Sequence, residues 1–187
     1  MTKDDIKIFT KIPTIKTERL LLRKIQPSDI EDVFEYGSDP SVSKYLLWQP
    51  HPDRGYTRFY LNFLTVRYRK GEFYDWGVEL DGKMIGTCGF TAFDLNNNSA
   101  EIGYVLNSKY WGRGIGYEAA SAVIKYGFEV LSLNRIEVHY LVGNEASAAL
   151  SKKLGMQLEG IHRGAIKCKG EYRDVCVAAI LKSEHKN

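Results

Sequence analysis

Three glycines, Gly112, Gly114 and Gly116, stand within the stretch WGRGIGYEA at 111–119, between a strand-like run at 101–106 and a strongly helical one at 117–131. A glycine-rich turn that opens a helix makes a phosphate cradle. Unpaired backbone N–H groups and the positive end of the helix dipole point the same way, and residues without Cβ let phosphate oxygens come within hydrogen-bond reach. A dinucleotide site is the obvious rival, with Glu137 at about the expected separation from the glycines. Against it, the spacing is GxGxG, the loop follows an antiparallel meander, and only one βαβ unit is present where that fold needs two halves. The other reactive side chains offer no second chemistry. Cys88, Cys168 and Cys176 have neither CxxC nor metal-ligand spacing, and His51, His139, His162 and His185 are far apart in the sequence. These are expected to be reduced structural thiols with no metal.

The elements that must hold the loop follow from pattern. Residues 1–16 read as a loosely attached leader, and 17–187 as a single domain without linker or repeat. Residues 19–25 are strand-like, and Ser28 with Glu31 forms a capping-box pattern for a helix to about Gly37. A second helix is expected over about 56–70, after a segment broken by Pro40, Pro50 and Pro52. Strands at 73–80, 84–92 and 101–106 are joined by turns at 81–82 and 96–98, hence antiparallel. In the helix at 117–131, Ala120, Val123, Ile124, Phe128 and Leu131 share one face. The strand at 135–142 carries Ile136, Val138, Tyr140 and Val142 on one side, and the intervening helix makes it parallel to 101–106. A short helix at 146–154 ends at Gly155, and strands at about 157–163 and 172–181 join across 167–170. The fold class is α+β: a mixed, mostly antiparallel sheet containing one βαβ unit.

Composition narrows the class of protein. At 187 residues, 44% apolar and 26% charged, the chain fits one ordinary soluble domain. A net charge of +3 spread among acids gives no basic block, so neither nucleic acid nor a membrane is an expected direct partner. A polyanionic small ligand remains compatible. No secretory h-region and no run of the ~18 apolar residues needed to span a bilayer is present, which makes the cytoplasm the expected location.

In order, strand, two helices, three antiparallel strands, glycine loop, helix, parallel strand, short helix and two strands resemble the GNAT superfamily of acetyl-CoA-dependent N-acyltransferases over residues 17–181. AEIGYVL at 100–106, WGRGIGYEA at 111–119 and GNEASAALSKKLGM at 143–156 carry the resemblance. ERLLLR at 18–23, KYLLW at 44–48 and GEYRDV at 170–175 make it most similar to the branch that acetylates N-terminal α-amines of ribosomal proteins. The resemblance implies a twisted sheet with a splayed parallel strand pair and flanking helices. It also implies acetyl-CoA as co-substrate, its pyrophosphate on the backbone of Trp111, Gly112, Arg113, Gly114, Ile115, Gly116 and Tyr117. The pantetheine arm would add like a strand in the splay, pairing with backbone groups of Val105 and Leu106 and hydrogen-bonding Asn144, because its amides need partners once removed from water. The superfamily often has Gln or Arg where this chain has Trp111, so a side-chain phosphate contact is lost.

The resemblance also assigns the chemistry. An α-amine of pKa ~8 is largely protonated at neutral pH and must lose a proton before it attacks a thioester. Glu101 is the candidate base; it reads equally as a surface carboxylate or an ion-pair partner. The tyrosine that many members use to protonate the leaving thiolate falls at Ser151 here. In the ribosomal-protein branch a serine takes that part, matching Ser147, for which helix capping or a cofactor contact is an equal reading. A second carboxylate of some relatives maps onto Ile166. Trp48, Tyr45 and Trp76 are candidates for an acceptor pocket or for the core, Lys152 and Lys153 for the CoA 3′-phosphate or for a solvated helix face, and Glu118 for the helix dipole. The implied reaction is acetyl transfer to a primary amine, most readily a protein N-terminus. Alternatives are a small-molecule amine acceptor or a non-catalytic acyl-CoA-binding module, in a monomer or homodimer.

Overall fold

The sheet begins earlier than the sequence suggests. The computed structural model describes residues 12–71 and 74–185. Within them β1 (Ile15–Lys16) pairs antiparallel with β2 (Leu21–Arg23). Ile12 and Ile15 pack on the core, and Trp76 Nε1 donates to Pro13 O at 2.7 Å. The last residues of the expected leader are therefore built into the fold, and residues 1–11 lie outside the described residues.

The first helix is capped differently from expectation. A single 3₁₀ turn, Pro27–Asp29, precedes α1 (Ile30–Gly37), and the reciprocal capping pair is Gln26 with Asp29, with Gln26 N donating to Asp29 Oδ2 at 2.7 Å. Pro27 takes the first helical position, which moves the cap one residue before it and leaves Ser28 out. Asp29 also accepts from Arg23 Nη1 and Nη2 at 2.9 and 2.8 Å, tying the helix start to β2. A short helix not anticipated, α2 (Pro40–Ser43), follows, with Asp39 Oδ1 accepting from Ser41 N at 2.8 Å. Then α3 (Arg54–Lys70) starts at Asp53, whose carboxylate accepts from Tyr56 N, and ends at Gly71 with φ +66°.

The meander is as expected: β3 (Tyr74–Leu80), β4 (Lys83–Asp94) and β5 (Ser99–Leu106), all antiparallel. Phe73, the expected first strand residue, lies outside the described residues. Asp81 and Gly82 have φ of +50° and +78°, the positive values that a two-residue hairpin turn requires. After the loop come α4 (Ile115–Glu129), β6 (Arg135–Leu141), α5 (Glu145–Lys153), β7 (Gln157–Cys168) and β8 (Glu171–Leu181). β7 extends past the expected residue 163, through an irregularity between His162 and Ile166, to a tight turn at Lys169–Gly170. Val142, expected on the inner side of its strand, lies just beyond β6 and is exposed.

The order across the sheet is β1-β2-β3-β4-β5-β6-β8-β7. One break in it positions everything that follows. β5 and β6 are parallel and pair only at Ser99–Arg135, Ala100–Ile136 and Glu101–Glu137. Beyond Glu101, β5 stays with β4 as far as Leu106, and beyond Glu137, β6 stays with β8 as far as Leu141. The two strands therefore diverge into a fork. On one face α4 buries Ala120, Val123, Ile124 and Phe128 in a cluster with Trp76, Phe90, Ile102 and Ile136. On the other, α1 and α3 cover the sheet with Val33, Tyr36, Leu61, Leu64 and Tyr68.

Candidate functional site

A cavity of about 770 Å³ opens at the fork. Its wall includes Tyr104, Val105 and Leu106 of β5; Trp111, Gly112, Gly114, Ile115, Gly116 and Tyr117 around the start of α4; and Asn144 and Ser147 at the start of α5. Of the residues the sequence marked for the pyrophosphate and the pantetheine arm, only Arg113 is not in the wall. Its carbonyl accepts from Arg19 Nη1 at 3.0 Å and its guanidinium lies 5.4 Å from the Tyr110 ring centroid.

The loop has the geometry of an anion cradle. Gly112 and Gly114 have φ of +73° and +76°, in the left-handed region that favours glycine, and Gly114 is the N-cap of α4 with no side-chain cap on the helix. The amides of the first turn therefore lack a side-chain acceptor, at the positive end of a 15-residue helix. A Cβ on Gly112 would meet nothing within 4 Å, and one on Gly116 only Leu150 Cδ2 at 3.6 Å, so the space before the loop is open. Trp111 is half exposed, and its indole Nε1 donates to Leu106 O at 2.8 Å, which fastens the loop to the end of β5.

Arg19 is the functional neighbour that sequence reasoning missed. Thr17 Oγ1 and Arg19 N donate to Glu118 Oε1 at 2.6 and 2.8 Å, and Arg19 Nε donates to Glu118 Oε2 at 2.6 Å. Burial acts to raise the Glu118 carboxyl, but these bonds outweigh it and hold it below the usual carboxylate range. Glu118 does sit in the first turn of α4, where the dipole favours it, yet its negative charge is matched by Arg19 and so does not repel an anion at the loop. The motif ERLLLR contains this arginine, but nothing local links it to a glycine loop 94 residues away.

At the other end of the cavity, Asn144 caps α5, its Oδ1 accepting from Ser147 N at 3.2 Å. Ser147 is buried and its helix position turns it to the fork. Ser151 is also buried and donates to Ala148 O at 3.0 Å. Cys88 lines the cavity, but burial pushes its thiol well up, so it is an inert wall residue and not a nucleophile.

Glu101 is not in the cavity wall. Ala100 and Ile102 point into the α4-side core, so alternation turns Glu101 to the opposite face, at the last rung before the fork. There Glu101 Oε2 is 3.4 Å from His139 Nδ1, and His139 Nε2 is 3.2 Å from Glu137 Oε1. Arg135 contacts both Glu137 and Glu159 at 2.8 and 2.6 Å. His139 does not stand out in the sequence because its partner Glu101 comes from a different strand; its only local signal is Glu137, two residues earlier on the same face.

The remaining candidates divide. Tyr45 lines the cavity together with Lys44 and Leu46, whereas Trp76 is fully buried in the core and Trp48 packs with the α1–α3 cluster 5.6 Å from the His51 ring. Lys153 lines the cavity, its Nζ 4.6 Å from the Tyr117 ring centroid, while Lys152 is an exposed residue outside it. Among the described residues no group of three or more His, Cys, Asp or Glu could hold a metal, and no helix is long and apolar enough to cross a membrane.

Known proteins resemble this chain in sequence and fold. A family described as "Acetyltransferase (GNAT) domain" matches residues 19–157. The "Uncharacterized N-acetyltransferase p20" of Bacillus licheniformis is 38% identical over 92% of this chain and 98% of its own length. The "[Ribosomal protein uS5]-alanine N-acetyltransferase" of Escherichia coli is 24% identical over 91% and 93%. Among solved structures, a GNAT-family acetyltransferase from Bacillus anthracis superposes with a TM-score of 0.81 at 34% identity, over 92% of this chain and all of that one. RimL, a ribosomal L7/L12 α-N-protein acetyltransferase solved with coenzyme A, shares the fold with a TM-score of 0.79 at 23% identity, over 90% and 98%.

Proposed function

The chain belongs to the GNAT acetyltransferase family and is an N-acetyltransferase, and on that premise we propose that it transfers the acetyl group of acetyl-CoA to a protein N-terminal α-amine. The observation that carries this reading is the joining, in one cavity, of an uncapped helix N-terminus to a fork between parallel strands. A diphosphate suits the first feature and an amide-bearing arm the second. The 770 Å³ volume is of the order expected for a cofactor-sized ligand. Likeness to the uS5-alanine enzyme supports the choice of an α-amine acceptor.

In this reading Trp111, Gly112, Arg113, Gly114, Ile115, Gly116 and Tyr117 offer their backbone to the pyrophosphate, with Arg19 behind the loop. Val105, Leu106 and Asn144 take the pantetheine amides. Glu101 takes the proton of the incoming amine, with His139 beside it to pass the charge towards solvent. Ser147, at the inner end, offers its hydroxyl to the leaving sulfur or to the arm itself. Holding two reactants in line supplies an effective molarity of ~10⁵–10⁸ M, and general-base help a further ~10²–10⁴ in rate, so alignment is the larger effect.

The test is acetyl-CoA turnover with peptides of differing N-terminal residue beside polyamine and aminoglycoside panels, following thiol release and the position of the new amide. Acetylation at a peptide α-amine is expected. Turnover confined to a polyamine or an aminoglycoside would overturn the acceptor assignment and leave the cofactor site standing.

A further inference from the structure

The Tyr104 hydroxyl is buried and has no hydrogen-bond partner. An orphaned buried hydroxyl is costly to a fold, so it asks for an explanation. Tyr104 extends the series Ala100, Ile102 on the α4 side of β5, pairs with Cys88 of β4, and lines the cavity three residues past the last rung joining β5 to β6. Ser147 of α5 lies beside it, near enough to polarise the phenol but without hydrogen-bond geometry. A second phenol, Tyr140 of β6, stands in the same relation to Ser151, one helical turn further along α5, but it is not in the cavity wall. Tyr104 is thus a residue of the cavity wall whose enclosed hydroxyl has no acceptor in hydrogen-bond geometry among the described residues.

Building on the acetyl-transfer reading, we propose that Tyr104 is a further catalytic residue, whose hydroxyl donates a hydrogen bond to the sulfur of the thioester as it becomes a thiolate. The amine nitrogen forms its bond to the acetyl carbon, the carbon–sulfur bond breaks, and its electron pair goes to sulfur. The proton shed by the amine goes to Glu101 and on to water, Tyr104 keeps its own proton, and the thiolate is protonated from water after release. Burial pushes the phenol up to about 12, with the Ser147 hydroxyl acting the other way, so Tyr104 stays a neutral donor at working pH. The inner position also explains why the donor is left unpaired: a partner inside the fold would compete with sulfur.

Tyr104→Phe removes the oxygen alone. Because the hydroxyl has no partner in the fold, the variant melts at the same temperature or higher, and a large loss of melting temperature would show that the hydroxyl is a structural bond and overturn the proposal. With the fold intact, kcat falls about 10- to 100-fold, the range of a hydrogen bond to a charged group, while acetyl-CoA affinity is kept. A second measurement needs no turnover: the thiol of bound coenzyme A, followed by thiolate ultraviolet absorbance, titrates at least about one pH unit higher in Tyr104→Phe than in the parent. Equal titration curves, or weaker acetyl-CoA binding with unchanged kcat, would sink the role of Tyr104. A parent protein that binds no coenzyme A and acetylates no amine would instead sink the reading on which it rests.

Discussion

Gly116 allows the anion cradle to be tested without damaging the protein. Gly112 and Gly114 have positive φ, so any side chain there strains the backbone by ~1–2 kcal/mol whatever else it does. Gly116 carries no such restriction and lies inside the first turn of α4. The methyl of Gly116→Ala would touch only Leu150 Cδ2 at 3.6 Å, an ordinary contact, and alanine is favoured over glycine in a helix by up to ~1 kcal/mol. Stability should therefore hold or rise. If the loop holds the pyrophosphate as proposed, the same methyl would crowd its approach to the amides, and losing one hydrogen bond to a charged group is worth ~1.5–3 kcal/mol, or roughly 10- to 150-fold in affinity. Calorimetric titration with acetyl-CoA should show that weakening in Gly116→Ala and more in Gly116→Val, with kcat at saturation little changed because the reacting end is untouched. A stable Gly116→Ala protein that binds acetyl-CoA as tightly as the parent would refute the assignment of the loop.

Glu101→Gln should lower kcat by about 10²- to 10⁴-fold while acetyl-CoA affinity is kept, measured by steady-state turnover and titration calorimetry; unchanged turnover would remove Glu101 as the base. Burial raises the Asp75 carboxyl from 3.8 to about 7, with a bond from Thr87 acting the other way. Folded and unfolded chains are both protonated at this group below pH 4, only the unfolded chain ionises between 4 and 7, and both are ionised above. Stability should accordingly fall as pH rises through that window by an amount on the order of a few kcal/mol, and denaturant melts of Asp75→Asn should lose this slope. Phe128→Ala deletes a side chain only 1% exposed between α4 and the sheet; it should cost ~3–5 kcal/mol and lower the melting temperature by roughly 6 to 20 °C in a thermal scan.

The glycine loop, the meander and the parallel crossover were legible because each rests on local pattern: positive-φ residues in turns, period two in Arg135–Leu141, a single apolar face in Ile115–Glu129. What stayed hidden was set by contacts distant in sequence or by two signals in competition. Ser28 and Glu31 match a capping box, but Pro27 claims the first helical position and shifts the cap to Gln26. The full length of Gln157–Cys168 was invisible because most of its residues are exposed on both faces and show no alternation. Arg19 on Glu118, and Glu101 against His139, join segments that only the folded sheet brings together. Trp76 is an aromatic residue that pattern alone leaves open between core and pocket; its full burial and its indole bond to Pro13 place it in the core.

Three rungs between β5 and β6 are the whole spine along which two leaves of the sheet are bound, β1 to β5 on one side and β6 to β8 on the other. Past Glu101 each leaf presents main-chain groups to the gap that the neighbouring leaf does not meet. In the proposed reading a guest lying in that gap would supply the missing rungs to both at once, so the substrate would complete the architecture as well as react within it. In that reading the arm of the cofactor would lie along the slot, with its polyanionic end at the loop and the amine arriving from the opposite face.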